Sequence, residues 1–136
     1  MSPVLVDAGP LVALLSRRDN RHHECVDVLK SLRDPLLTSW TAVTEAMYLL
    51  GFSLRAQAAL LEMIEREALV AESPTLDTLP AVRRLMQRHA DLPMDFADAT
   101  LLSLADRRRI DRVFALDARD FSVYRLERGK SFVVMP

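Results

Sequence analysis

The candidate chemistry of this sequence depends on acidic side chains that follow or begin predicted secondary-structure elements. Asp7 and Asp117 each come directly after a short apolar run, and Glu45 and Asp98 each lie early in a predicted helix. Carboxylates crowded together repel one another by roughly 4 kcal/mol per pair at about 4 Å and an effective dielectric near 20. A bound cation removes that cost, and a set of hard oxygen ligands suits Mg²⁺ or Mn²⁺.

A divalent ion held by such acids could polarise a phosphodiester and lower the pKa of a bound water for in-line attack. This chemistry needs no Ser, Cys or His nucleophile. The sequence shows no obvious Ser-His-Asp triad and no zinc-ligand spacing. It contains only three glycines and has no Gly-rich loop of the kind that holds phosphates. The acids are therefore the leading candidates for a reactive site.

Each of these acids also has an ordinary structural explanation. Asp7 and Asp95 stand where a helix begins, and Asp is a common N-cap residue. Glu45 could simply face solvent, although it is not the Glu of a capping box, because residue 42 is Ala rather than Ser or Thr. Asp98 shares the first turn of a predicted helix with Asp95 and is harder to explain by capping alone.

Hydrophobic periodicity predicts strands that alternate with helices. The predicted strands cover residues 4–6, 36–39, 69–71, 112–116 and 131–135, and the predicted helices cover residues 11–15, 22–32, 40–50, 53–67 and 76–89, with a further helix from residue 95. This order indicates an α/β fold, a three-layer α/β/α sandwich with a central, mainly parallel sheet. The carboxyl ends of parallel strands share one edge, where ligands bind, so the acids are expected to meet there.

Length and composition favour one domain over residues 1–136. The formal net charge is −1, so nucleic acid could be bound only through a local basic patch. Three arginine clusters could supply one, and the sequence does not say which: Arg17, Arg18 and Arg21; Arg83, Arg84 and Arg88; Arg107, Arg108, Arg109 and Arg112. Most such runs are solvated helix faces.

The single cysteine, Cys25, excludes an internal disulfide and a cysteine-built metal site, and it is typical of the reducing cytosol. The sequence shows no basic-then-apolar leader and no apolar run of membrane-spanning length. We therefore expect a cytoplasmic protein without membrane contact.

Two further expectations concern helices. Residues 53–67 are predicted to form a helix, with Leu54, Ala58, Leu61 and Ile64 at helical spacing. The stretch from Ser53 to Val70 has more large apolar residues than one buried face needs, which predicts a homodimer. His89, near the end of its helix, is expected to be a surface group or a C-terminal cation.

Four short stretches, taken in order, resemble the acidic motifs of PIN domains. They are VDAGPL at residues 6–11, Thr38 followed by TEA at residues 44–46, DFADA at residues 95–99, and LDARDF at residues 116–121. Within that family the likeness is greatest to the toxin ribonucleases of bacterial VapBC-type toxin–antitoxin pairs. The resemblance extends over nearly the full length of the chain.

This resemblance implies a Mg²⁺- or Mn²⁺-dependent endoribonuclease that acts on RNA, forms a homodimer and is inhibited by a small antitoxin protein. Asp7, Glu45 and Asp98 match the core metal-binding acids, Asp117 matches the more variable fourth acid, and Asp95 is a secondary candidate. Ala115 departs from the family pattern, since many relatives carry Thr or Ser two residues before the fourth acid.

Two other classes of protein remain as alternatives. A receiver-like signalling module is also α/β with acids at strand ends, but its paired acids after the first strand are missing here, since Ala8 follows Asp7. A catalytically silent binding module could keep the fold and the acids without cleaving RNA. Metal binding and RNA cleavage by the purified chain would separate these classes.

Overall fold

The computed structural model describes residues 2–126 and 131–136 of the chain. Its strands are β1 (Val4–Val6), β2 (Leu36–Ser39), β3 (Val70–Glu72), β4 (Arg112–Phe114) and β5 (Val133–Met135). Its helices are α1 (Ala8–Leu15), α2 (His22–Ser31), α3 (Trp40–Leu49), α4 (Leu54–Glu65), α5 (Leu79–Arg88), α6 (Phe96–Arg108) and α7 (Ala118–Val123). A single 3₁₀ turn, Leu76–Thr78, precedes α5.

The five strands form one sheet in the order β3-β2-β1-β4-β5, and every strand pair is parallel. This confirms the predicted parallel sheet. The chain proceeds outward from β1 to β3 and then crosses to β4 on the other side of β1, so the direction of winding reverses between β1 and β4. Ligands of open α/β sheets bind at such a reversal. The order also differs from the 2-1-3-4-5 order typical of receiver-like modules.

The central strand β1 shows why helices must cover both faces of the sheet. Val4, Leu5 and Val6 are each at most 1% exposed. Successive side chains of a strand point to opposite faces, so complete burial of all three requires packing on both sides. The observed structure is therefore the predicted α/β/α sandwich.

Helix α6 lies in the middle of the helical packing. All seven residues from 99 to 105 are buried, and the helix contacts α3, α5 and β2. Because it is enclosed on several sides, α6 holds the residues of its first turn in a fixed position. Asp98 is one of them.

The apolar residues of α4 fall on two faces, of which one is buried. Leu54 is 80% and Leu61 is 40% exposed, whereas Ala56 and Leu60 are buried. The sequence of this helix offers two apolar stripes, and packing against α1 selects the one that contains Ala56 and Leu60. The other stripe is left partly uncovered.

The prediction for His89 is wrong, because this residue is buried rather than on the surface. Its Nδ1 lies 2.8 Å from the Leu85 carbonyl oxygen, and its Nε2 lies 3.2 Å from the Arg125 backbone nitrogen. The carbonyl can only accept and the backbone N–H can only donate, so the ring carries its proton on Nδ1 and accepts at Nε2. The imidazole also packs edge-to-face with the ring of Tyr124.

Among the residues described, no helix is long and apolar enough to cross a membrane.

Candidate active site

Asp7 follows β1 directly and occupies the N-cap position of α1, yet its side chain makes no capping hydrogen bond. Its backbone N–H donates to the Phe114 carbonyl at 3.0 Å, which extends the pairing of β1 with β4 by one residue. This bond fixes the acid at the point where the winding of the sheet reverses. The side chain of Asp7 therefore does not cap α1, which was the structural explanation considered for this acid.

Glu45 is an exposed residue in the middle of α3. The helix begins where β2 ends, and the Ser39 hydroxyl caps it by accepting from the Ala42 N–H at 3.3 Å. Because α3 starts at the carboxyl end of a strand adjacent to β1, its first turns lie at the same sheet edge as Asp7.

Asp95 and Asp98 form a reciprocal capping box at the start of α6. Oδ1 of Asp95 accepts from the Asp98 N–H at 2.8 Å, and Oδ2 of Asp98 accepts from the Asp95 N–H at 3.2 Å. This confirms Asp95 as an N-cap and gives Asp98 a structural role as well. Asp98 differs from its partner in one respect: its Oδ2 also accepts a hydrogen bond from the buried Tyr124 phenol at 3.2 Å.

Asp117 is exposed and lies three residues beyond the end of β4. The intervening Ala115 is buried, and its N–H donates to the Met135 carbonyl of β5 at 2.9 Å. This bond continues the β4–β5 pairing past the strand and directs the chain toward the same sheet edge.

One cleft of about 320 Å³ unites all five acids. Its lining consists of Asp7, Ala8, Gly9, Glu45, Leu49, Pro93, Asp95, Asp98, Leu116, Asp117 and Phe121. No Lys, Arg or His is among these residues, so the side chains that the structure describes there leave the acids without a neutralising cation. The cleft lies at the carboxyl edge of the sheet between β1 and β4.

Burial and mutual repulsion raise the pKa values of three acids in this cleft. Burial is the main cause for Asp7, whose pKa is raised to about 6 despite the Ala8 backbone N–H, and Glu45, Asp95 and Asp117 add to the effect. Burial likewise raises the pKa of Asp98 to about 7, with further repulsion from Asp95 and Asp7. Although Glu45 is largely exposed, partial desolvation on the side that faces the cleft raises its pKa, and repulsion from Asp95 adds to this. The site therefore favours added positive charge, either protons or a cation.

The donor set fits a hard divalent cation, because it contains only carboxylate oxygens and leaves room for water. The side chains are not yet arranged to hold one: no three His, Cys, Asp or Glu within residues 2–126 and 131–136 form a group that could grip an ion as they stand. The reciprocal bonds of Asp95 and Asp98 each use one carboxylate oxygen, so the other oxygen of each acid is available to a cation.

A chain of hydroxyl groups links α3 with α6 beside the cleft. Thr100 Oγ1 donates to the Ala97 carbonyl at 2.8 Å, so its single proton is used there. Thr41 must then donate to Thr100 across their 2.6 Å contact, and Ser39 must donate to Thr41 across 2.5 Å. Every hydroxyl proton in this chain has a defined acceptor.

Sequence reasoning missed the Tyr124 contact and the hydroxyl chain. Tyr124 lies 26 residues beyond Asp98, and Thr100 lies 59 residues beyond Thr41. Neither pair has a local spacing signal. The only available hint was a tyrosine within an apolar stretch, which is common in cores and so carries little information.

Comparison with known proteins identifies the family of this chain. The family model of the PIN domain matches residues 4–126. The chain belongs to the PIN domain family. This confirms the resemblance carried by the acidic motifs. One relative is Ribonuclease VapC26 of Mycobacterium tuberculosis (strain ATCC 25618 / H37Rv). It is 27% identical to this chain over 135 residues, which cover 98% of this chain and 100% of that protein.

Solved structures share the fold of this PIN domain. The VapC20 toxin of Mycobacterium tuberculosis, described as cleaving the sarcin-ricin loop, has a TM-score of 0.77 at 23% identity, with 85% of this chain and 90% of that chain covered. A toxin–antitoxin complex from Klebsiella pneumoniae has a TM-score of 0.71 at 18% identity, covering 98% and 96%. VapBC2 of Rickettsia felis, bound to a DNA fragment from its promoter, has a TM-score of 0.66 at 11% identity, covering 98% and 97%.

Proposed function

We propose that this PIN domain, taken as a single domain over residues 1–136, is a Mg²⁺- or Mn²⁺-dependent endoribonuclease. The observation that carries the proposal is the cleft between β1 and β4, where five carboxylates meet without a described cationic neighbour. Structural acids are normally paired or solvated singly, whereas acids gathered at the ligand-binding edge of a parallel sheet are typical of a metal-dependent site.

The relatives support a role as the toxin of a type II toxin–antitoxin pair. One relative is named a ribonuclease, and one structural neighbour is described as a toxin that cleaves the sarcin-ricin loop. Two neighbours are complexes of a toxin with its antitoxin. We extend these roles to the present chain as a proposal: RNA as substrate, a small antitoxin protein as partner, a homodimer as the assembly and the cytoplasm as the location.

In the proposed mechanism Asp7, Glu45, Asp98 and Asp117 would hold the ion, and Asp95 would have a secondary role. A bound divalent ion would polarise the phosphodiester and lower the pKa of a water for in-line attack. Asp7 and Asp98 would have to be ionised to act as ligands, and their raised pKa values make that ionisation dependent on pH. Tyr124 keeps Asp98 oriented through its bond to Oδ2. Leu49, Pro93 and Phe121 supply the apolar part of the cleft's lining.

The direct test is cleavage of bulk bacterial RNA by the purified chain, read on a denaturing gel. We expect fragments in millimolar Mn²⁺ or Mg²⁺ and intact RNA in EDTA. Binding of Mn²⁺ without cleavage of any RNA would favour the alternative, a catalytically silent binding module. Cleavage that continues unchanged in EDTA would contradict the metal-dependent mechanism itself.

A further inference from the structure

A second groove lies beyond the acidic cleft, where the end of α1 meets the turn between α3 and α4. We call it the arginine groove, and it is lined by Leu15, Arg17, Arg18, Phe52, Ser53 and Arg55. Its volume is about 450 Å³. No acidic residue lines it, in contrast to the cleft that holds Asp7.

The three guanidinium groups of this groove are exposed and carry no hydrogen bond or ion pair to the side chains that the structure describes, those of residues 2–117, 121–126 and 131–136. Several arginines elsewhere are paired with acids, for example Arg21 with Glu24 at 2.5 Å and Arg66 with Glu62 at 2.5 Å. Three uncompensated positive charges on one groove produce a local positive field in a chain whose formal net charge is −1.

Two further features of the groove suit a nucleic-acid strand. The ring of Phe52 is 67% exposed, a high value for a large apolar side chain. An exposed ring can stack on a base, and base stacking on aromatic side chains is the usual way in which proteins hold unpaired bases. The N-terminus of α4, capped by Ser53, also opens at this groove, and helix N-termini favour anions such as phosphate.

The arginine groove and the acidic cleft lie at opposite ends of helix α1. Helix α1 starts with Ala8 and Gly9 in the cleft and ends with Leu15 in the groove, a span of about 12 Å at roughly 1.5 Å per residue. Leu49 of α3 lines the cleft, and Phe52 follows it by three residues. A strand whose scissile phosphate lies in the cleft therefore reaches the groove within a few nucleotides.

We infer that the arginine groove binds the single-stranded RNA flanking the cleavage site, with its arginines on backbone phosphates and Phe52 stacked on one unpaired base. This inference rests on the ribonuclease function proposed above and names the arginine cluster that contacts the substrate. The field of the acids repels RNA, so the attraction must come from a neighbouring surface. Base stacking on Phe52 requires an unpaired base, which selects single strands over duplexes.

Binding is tested first without cleavage, by fluorescence anisotropy of a labelled oligouridylate of about 12 nucleotides in EDTA. Replacing Arg17, Arg18 and Arg55 together with Gln is expected to raise the Kd at least about tenfold. The slope of log K against the logarithm of the salt concentration should also become less steep by about 2, because each lost phosphate contact reduces that slope by about 0.7. Phe52→Leu, which keeps an apolar side chain but removes the ring, is expected to weaken binding about fivefold.

The matched control replaces Arg33, Arg83 and Arg109 with Gln, since these exposed arginines lie outside the groove and their loss changes the net charge by the same amount. Equal losses of affinity in the two triple variants would overturn the groove and leave only a general charge effect. Unchanged RNA binding in the groove variants would also overturn it.

Cleavage assays keep this inference separable from the proposed function. If wild-type protein cleaves RNA in Mn²⁺, the groove variants are expected to raise KM about tenfold with little change in kcat. Normal KM in those variants would refute the groove while leaving the ribonuclease intact. Absence of any cleavage by wild-type protein would refute the ribonuclease, and the EDTA binding data would then report on the groove by themselves.

Discussion

The phenol of Tyr124 donates a 3.2 Å hydrogen bond to Oδ2 of Asp98, and this links the segment after α7 to the first turn of α6. The Asp95 N–H donates to the same oxygen, so both hydrogen bonds hold one side of the carboxylate. Oδ1 of Asp98 is the oxygen left for a cation. Tyr124 is fully buried, and its position is fixed by edge-on packing with Phe121 and His89.

We predict that Tyr124→Phe weakens Mn²⁺ binding about tenfold, because partners that orient a metal ligand typically contribute that much or more to affinity. The free energy of unfolding should fall by only about 0.5–1.5 kcal/mol, the usual net value of one hydrogen bond. Calorimetric titration with Mn²⁺ measures the first quantity and urea unfolding the second. Tyr48→Phe, which removes the hydroxyl of a tyrosine that is 84% exposed, is the control. A Kd for Mn²⁺ equal to that of wild type would reduce Tyr124 to a packing residue.

The second prediction concerns pH and the metal-free protein. The pKa of Asp7 is raised from 3.8 to about 6 and that of Asp98 from 3.8 to about 7. The folded state therefore binds more protons than the unfolded state between about pH 4 and pH 7. Stability from these two acids is greatest below about pH 4 and is lost as the pH rises through 6 and 7. Urea unfolding in EDTA at several pH values measures this loss.

Replacing either acid with Asn should reverse the loss. Asp7→Asn and Asp98→Asn are each expected to melt above wild type in EDTA at pH 8, and to gain less from millimolar Mn²⁺, which stabilises a native-only site by mass action. Asp27→Asn, on the exposed face of α2, should behave like wild type. If both cleft variants respond to Mn²⁺ as wild type does, these two acids do not share a metal site.

The third prediction concerns Glu45, which is far from the other acids in sequence. Glu45→Gln keeps the size of the side chain and removes one charge from the cleft. We expect unchanged folding and assembly, and a loss of metal-dependent RNA cleavage of at least about tenfold, or about 1.4 kcal/mol in barrier height. Glu62→Gln is the control, because Glu62 lies on α4 in an exposed ion pair of small energetic value. Cleavage by Glu45→Gln at the wild-type rate would make Glu45 a surface residue.

The fourth prediction concerns assembly. Helix α4 buries Leu60 within its own domain and leaves Leu61 40% exposed, so a second apolar face is available. We expect light scattering at tens of micromolar to report a homodimer, and Leu61→Glu to shift it toward monomer. Leu76→Glu, at an 86% exposed site before α5, is the comparison variant. A strict monomer would refute the dimer, and dissociation by Leu76→Glu alone would move the interface to α5.

The sequence was sufficient for those parts of the fold that depend on local pattern. The apolar runs of β1 and β2 are buried on both faces, and a pattern of that kind identifies the strands and their order along the chain. Asp95 was predictable as an N-cap because capping depends on residues three apart. The meeting of Asp7 and Asp117 could be predicted because parallel strands share a carboxyl edge.

Choices made by tertiary packing could not be predicted in this way. Leu54 and Leu60 are equally apolar, and only the position of α1 decides which of them is buried. His89 is a residue type typical of an exposed helix C-terminus. It is covered because the chain comes back at residue 125, whose backbone N–H bonds to its ring. The sequence pattern also does not predict α7, because its six residues are too few to show a helical period.

The hydroxyl chain from Ser39 through Thr41 to Thr100 ties together two helices that carry acids of the cleft. Its 2.6 Å bond between Thr41 and Thr100 joins the first turn of the helix that carries Glu45 to the start of the helix that carries Asp98, and the 2.5 Å bond between Ser39 and Thr41 holds Thr41 in place. Separating the two helix starts would break this contact. The backbone positions of Glu45 and Asp98 therefore resist change, and the side chains are the adaptable part of the cleft.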